Sequence, residues 1–358
     1  MPTTINFFDN YVLQALVEEI VPVPSFFKDR YFPTAAEDIF MSDKVLAEYR
    51  KGDRKMAPVV AQRVGDIPVE RPGYELSELQ PAYIALSREL TLDDLKKRGF
   101  GEALYHGDTP AQRAAKLQLK DLSDLDKLIT RREEWMCAQA MIHNGIEMQE
   151  MIDSKTEGET LTVRYYKGTS DHKFTVPTKW NAEGGKSFEN IRAMCALLSN
   201  RGLPAADLVL GSDASEFLLS MEQMQRRLDK NSGIITGQIE QELSPYAGVV
   251  YMGTVNFGGF KLNMISVDET YENDAGKTEK YFPATSAMVT APGCGHMMYG
   301  QITQIDFGKT EHSTYAGPRV SKFVLDQDRD TRKLRLGTRP IAAPKSYCPY
   351  IYAPNVVG

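Results

Sequence analysis

The stretch from residue 20 to residue 90 is punctuated by Pro22, Pro24, Pro33, Pro58, Pro68, Pro72 and Pro81, with apolar residues between them. Each proline removes a backbone donor and fixes φ, so this stretch can form neither a long helix nor a central sheet strand. Two strand-like runs stand out, APVVAQRVG at 57–65 and LQPAYIALSREL at 79–90, joined by the turn-rich DIPVERPGYE. The pattern predicts a long, irregular β-hairpin. A lone hairpin is marginal in water, and its buried backbone groups need partners. The segment therefore packs on something else, either the rest of the chain or a neighbouring copy.

The remainder reads as a mixed α and β chain. Residues 7–20 carry a helical apolar pattern that Pro22 and Pro24 stop. SFFKDRYFPT at 25–34 is aromatic without a clear period. Over 108–153 the helical signal is strongest: Asp108 or Thr109 can cap, and Pro110 suits the first helical position. Leu125, Leu128, Ile129, Trp135, Ala138 and Ile142 form the expected apolar face. About 30 residues of helix would span roughly 45 Å. Arg131, Arg132, Glu133 and Glu134, like Glu18 and Glu19, are assigned to solvated helix faces. TLTVRYY (160–166) and HKFTVPT (172–178) predict a hairpin around KGTSD. Helices are expected at 187–199 and in ASEFLLSMEQMQRRL, with a buried strand at 207–213, an exposed tip at 230–247, and two strands at 248–267 broken by Gly258 and Gly259. Strands and turns fill the last hundred residues.

Composition narrows the function. The chain has 358 residues, 42 % hydrophobic and 25 % charged, enough for two or three domains with real cores. Its net charge of −6 and lack of a Lys/Arg-rich tail argue against holding nucleic acid through phosphates. Cys137, Cys195, Cys294 and Cys348 are widely spaced with no CxxC pair, which fits reduced thiols. The start, MPTTINFFDNYVLQALVEE, has no basic region or apolar run of a secretory signal, and no stretch is long and apolar enough to span a membrane.

Four motifs suggest chemistry and each lacks a necessary part. WNAEGGKSF (180–188) ends like a phosphate-binding loop, but Trp180 stands where the first glycine belongs; the competing expectation is a glycine linker with Ser187 capping the next helix. Asp306-Phe307-Gly308 matches a kinase triplet without the catalytic loop or glycine-rich loop. DQDRD (326–330) opens like a calcium loop, but Thr331 and Gly337 occupy the positions that require Gly and Glu. PGCGH (292–296) sets Cys294 near His296 with no further ligands or acid nearby. No catalytic, cofactor-binding or metal-binding residue is assigned, and no cofactor is expected.

The ordered sequence blocks then resemble a known family. SFFKDRYFPT (25–34), MAPVVAQRVG and ERPGYELSELQPAYI (56–84), ITRREEWMCAQAM (129–141), the Thr/Val run at 160–177 with Trp180, APGCGHMMYG (291–300) and GPRVSKFVLDQDRDTRKLRLGTRPIAAP (317–344) resemble, in order and spacing, the lambda-type major capsid protein family (capsid protein E) of tailed phages. The resemblance implies an α+β chain of the Hong Kong 97-type capsid fold. Its expected parts are an N-terminal arm (1–35), an extended loop (36–92), a peripheral domain with spine helix and β-hairpin (93–184), an axial domain (185–300) and a C-terminal segment (301–358) returning through the peripheral and axial regions.

The same resemblance implies a structural protein of the virion head, assembled in the bacterial host cytoplasm. Its expected partners are copies of itself in hexamers and pentamers, with portal, scaffold and decoration proteins, around DNA that it encloses without sequence-specific binding; no membrane is involved. Few residues precede Phe7, so either a separate scaffold protein or a cleavage that removed an N-terminal scaffolding segment is expected. Phe26, Phe27, Arg30, Tyr31, Phe32, Arg63, Arg71, Tyr74, Glu75, Glu78, Tyr83 and Arg88 are the candidate inter-subunit contacts. An encapsulin-type nanocompartment shell shares the fold and is one alternative. A nucleotide-binding enzyme using 180–188 is another.

Overall fold

Pro110–His143 form one unbroken helix of 34 residues, about 51 Å long at ~1.5 Å per residue. It appears in a computed structural model that describes residues 24–50, 74–91, 110–151, 157–226, 246–306, 310–326 and 331–358. The helix stops at Asn144, which takes a left-handed φ of 53°. Asn tolerates that region better than most residues, and its side chain is held there: Nδ2 donates to the carbonyls of Tyr165 and Thr169, and Oδ1 accepts from the Tyr350 hydroxyl. The chain then turns directly into the strand Gly145–Met151, nearer the N-terminus than the sequence pattern suggested.

Two apolar clusters lie along this helix. Near its start, Leu122, Leu125 and Ile129 pack on Phe323, Leu334 and Leu336 of a three-stranded sheet. That sheet orders Val320–Asp326, Thr331–Thr338 and Ile84–Leu90, all antiparallel. Toward its end, Met136, Cys137, Ala140 and Met141 enter the main core with Phe26, Phe27, Phe282 and Tyr299. Leu128, expected on the buried face, is instead 45 % exposed.

A five-stranded sheet divides the main core from a third cluster. Its order is Ile351–Ala353, Ala287–Thr290, Asp207–Gly211, Phe260–Val267 and Val249–Phe257, with one parallel pair between Asp207–Gly211 and Phe260–Val267. Alternate residues of a strand face opposite sides. Val209, Ile265, Met288 and Tyr352 accordingly enter the main core. Their neighbours Leu208, Leu210, Met264, Val289 and Ile351 enter the cluster with Trp180 and the helix Ser187–Asn200. The sheet is covered on both faces, which explains the unbroken apolar run in DLVLG. Gly258 and Gly259, with φ of 62° and 103°, form the two-residue turn between its edge hairpin strands, as expected.

Several sequence expectations change. The run 79–90 splits at Pro81. Tyr74–Leu79 pairs with Val45–Arg50, whereas Ile84–Leu90 pairs with Thr331–Thr338. The expected partner 57–65, the helix at 7–20 and the tip at 230–247, all but its last two residues, lie outside the described residues. Thr/Val strand Glu157–Arg164 pairs with Gly145–Met151 rather than with 172–178. Tyr166, Lys167 and Gly168 all take positive φ. That bend sends 172–174 toward the C-terminal strand, where Tyr352 N donates to His172 O and Phe174 N to Tyr352 O. The helix expected over ASEFLLSMEQMQRRL is broken once: Ser212–Ser220 is helical, Met221 turns to extended backbone, and 222–226 are helical again.

Candidate functional site

Among the described residues, segments far apart in the sequence are tied together by charge. Arg319 is buried against the long helix. Its Nε donates to Asp126 Oδ1 at 2.6 Å, Nη1 to Glu133 Oε1 at 2.6 Å and to the Pro318 carbonyl at 2.9 Å, and Nη2 to Glu133 Oε2 at 3.0 Å and Thr130 Oγ1 at 3.1 Å. All donors of the guanidinium fork are thus satisfied. Glu133 also accepts from Lys28 Nζ at 2.7 Å and the Tyr299 hydroxyl at 3.2 Å. Two cations meet two carboxylates, so the cluster closes neutral, the condition under which buried charge is tolerated. Burial pushes the Glu133 carboxyl up, but Arg319 and Lys28 outweigh it and hold the group below its ordinary value.

Glu134 does different work. Its Oε1 and Oε2 accept from the backbone N–H groups of Phe27 and Lys28 at 2.6 and 2.8 Å. Those donors open the short helix Phe26–Tyr31, whose N-cap Ser25 makes no side-chain cap bond. The cap is supplied by a residue more than a hundred positions away. At the other end of this short helix, Arg30 forks onto Asp207 (Nε–Oδ2 2.7 Å, Nη2–Oδ1 3.0 Å), and the Tyr31 hydroxyl and Asn263 Nδ2 complete the carboxylate.

Glu133 and Glu134 are therefore not on a solvated helix face: they are 0 % and 2 % exposed. The signal was present, since Glu133 falls on the helical stripe of Leu122, Leu125, Ile129, Met136 and Ala140. Glu134 gives a pH prediction. Burial, reinforced by Glu269 and Asp29 and opposed by the two N–H groups, pushes its carboxyl up to about 8, from 4.5. Between about pH 4.5 and 8 the folded chain keeps a proton that the unfolded chain has lost, so this group's contribution to stability falls as pH rises through that window. Urea midpoints should show wild type losing on the order of 1 kcal/mol per pH unit relative to Glu134→Gln across it. Parallel curves for the two proteins would refute this.

The candidate contact residues divide. Phe26, Phe27, Tyr31 and Phe32 are at most 1 % exposed in the chain's own core, and Arg30 is tied to Asp207. Arg88 pairs with Asp121 and Asp124 of the long helix at 2.8 and 3.1 Å. Within the chain these side chains have partners of their own, because the aromatic block 25–34 forms a short helix docked on the core. Glu78 is exposed, with Lys44 at 2.9 Å, and Tyr83 is 49 % exposed. Tyr74 and Glu75 lie on the strand opposite Arg50 and Tyr49, with side chains outside the described set; Arg63 and Arg71 lie outside the described residues. The hairpin Val45–Arg50/Tyr74–Leu79 starts in the core at the buried pair Val45 and Leu79, and its ladder leads toward residues 51–73.

The tempting motifs resolve structurally. In 180–188 the amides of Ala182 and Gly185 donate to Lys179 O and Ala182 O, and that of Trp180 to Val356 O. A Cβ on Gly185 would stand 2.4 Å from Trp180 O. The loop is folded on itself and does not present a phosphate cradle. Ser187 does not cap: the N-cap is Lys186, and the Ser187 hydroxyl meets Met221 Sδ. Cys294 is buried with its thiol pushed up to about 12 by burial, while His296 Nδ1 sits 2.8 Å from Asp38 Oδ1, so the two do not form a nucleophile and base. Asp306 accepts from Tyr315 and Gln304. Phe307, Gly308 and residues 327–330 lie outside the described set. Among the described residues no cluster of side chains suits a metal ion, and no helix is long and apolar enough to cross a membrane.

Comparison with known proteins completes the picture. The profile of the phage major capsid protein E family matches residues 9–350. Among solved structures, an Escherichia coli CFT073 prophage protein described as a capsid protein superposes with a TM-score of 0.67 at 15 % identity, covering 97 % of this chain and 98 % of that one. A phage-related protein of Bordetella bronchiseptica RB50 follows with a TM-score of 0.55 at 10 % identity, covering 98 % of each. The fold is that of the Hong Kong 97-type capsid proteins. A search of curated proteins finds no match.

Proposed function

Since the chain belongs to the phage major capsid protein E family, it is a structural protein of the phage head, and we propose that it works as a self-associating tile whose hairpin and N-terminal residues grip neighbouring copies. The match over residues 9–350 carries this reading. The tile is the body tied by Arg319, Glu133 and Asp207. The grip lies in the hairpin 45–79 and its root, where Tyr83 and Met41 stay exposed at 49 % and 77 %. One sequence in a closed shell must occupy related but unequal places, which suits a rigid body with separate gripping segments. Hexamers and pentamers, a scaffold, a portal and decoration proteins are the partners this role calls for. Expansion from a compact precursor would move the gripping segments between two packings while the body stays intact.

An encapsulin-type shell would share the fold, but the profile match favours the phage family. Electron microscopy in negative stain tests the reading. The chain, expressed alone or with a scaffold protein, should yield closed shells of uniform diameter. Dispersed subunits under both conditions would overturn it.

A further inference from the structure

The three-stranded sheet has two faces. Phe323, Leu334 and Leu336 turn inward to the long helix. Residues out of phase with them turn outward, and the register places Lys322 directly opposite Arg335, with Ser87 opposite Arg335 on the other side. Like charges facing each other across a ladder destabilise a sheet. In the next outward row the sheet does the opposite: Lys333 faces Glu89 and the two pair at 2.5 Å.

Nothing among the described residues neutralises the Lys322–Arg335 row by contact. Arg335 Nη2 donates to the neutral Gln304 Oε1 at 3.3 Å. The nearby carboxylate, Asp306, accepts from the Tyr315 hydroxyl at 2.6 Å and Gln304 Nε2 at 3.3 Å and acts on Lys322 through its field. Burial and then the facing Arg335 pull the Lys322 ammonium below its ordinary value, and the opposing pull of Asp306 does not restore it.

We infer that the Lys322–Arg335 row is a docking site for a carboxylate side chain of a second copy of this chain. The inference rests on the shell reading above and adds the surface at which copies meet. Charge selects the occupant: a subunit with net charge −6 repels its own copies unless local cations meet acids across the interface. A carboxylate between the two cations would convert a repulsive row into charge-assisted hydrogen bonds.

The test exploits the register. Lys322→Glu places an acid opposite Arg335, so it removes the internal repulsion while abolishing the docking site. The unassembled subunit should melt at or above the wild-type temperature, yet the protein concentration needed for shells, read by light scattering and negative stain, should rise about tenfold or more. Lys322→Gln keeps most of the aliphatic stem and serves if the glutamate disturbs folding; it should raise the threshold less, in the same direction. Shells forming at the wild-type threshold in folded variants would overturn the site and leave the shell reading standing. Variant shells that form normally but retain less DNA would also overturn it, assigning the row to nucleic acid instead. A wild-type chain that never forms shells would overturn the shell reading and this site with it.

Discussion

Replacing Arg319 with alanine is expected to destabilise the subunit by about 3–5 kcal/mol, the usual consequence of removing one partner from a buried ion cluster. The reason is what stays behind. Glu133 is fully buried and would keep only Lys28 and the Tyr299 hydroxyl, while Asp126 and Thr130 would lose their Arg319 contacts. Arg319→Lys should recover only part of the loss, since an ammonium cannot reach Asp126, Thr130 and both oxygens of Glu133 from one rigid fork. Arg319→Met combined with Asp126→Asn, Glu133→Gln and Lys28→Met should be milder than Arg319→Ala, because it removes both cations with both carboxylates and leaves no charge unpaired. Urea unfolding of the unassembled subunit measures all three. Equal midpoints for wild type and Arg319→Ala would show that the cluster contributes nothing.

The second large effect falls on assembly. Excising residues 51–73 and joining Arg50 to Tyr74 through Asn-Gly preserves the ladder from Val45↔Leu79 to Arg50↔Tyr74 and supplies a turn whose twist suits it. The core pair Val45 and Leu79 is untouched, so the subunit should remain soluble and melt within a few degrees of wild type. It should form no closed shells at any concentration at which the full chain does. Regular particles from this variant would remove the hairpin from the grip and leave the tile body to hold the shell alone.

How far the sequence discloses this arrangement depends on range. Periodicity within one element was readable: the long helix, the helix at 187–200, the buried strand at 207–211 and the Gly258–Gly259 turn all follow from local spacing. Pairing across the chain was not. Glu157–Arg164 and Ile84–Leu90 look like strands, but their partners are set by where the chain bends at Tyr166 to Gly168 and by the arrival of 331–338 from the far end. The partners of the ion clusters were hidden for the same reason. The place of Glu133 on the apolar stripe gives away its burial, but nothing local gives away Arg319 and Lys28. The aromatic block at 25–34 showed its appetite for partners, yet whether it would turn to its own chain or to a neighbour depended on Glu134 and Asp207, residues that say nothing locally.

The way the short helix Phe26–Tyr31 is held also sets a timetable for folding. Its cap comes from Glu134, its arginine partner from Asp207, and the cluster around Lys28 closes only with Arg319. On a ribosome adding ~5–20 residues per second, Arg319 emerges roughly 15–60 s after Lys28. During that interval Phe26, Phe27, Tyr31 and Phe32 leave the exit tunnel with no finished core to enter. Contacts of such long sequence separation form late and slowly. The most aromatic segment of the chain is thus among its first to be exposed and among its last to be sheltered, and a newborn subunit has to be kept from its siblings until it has closed on itself.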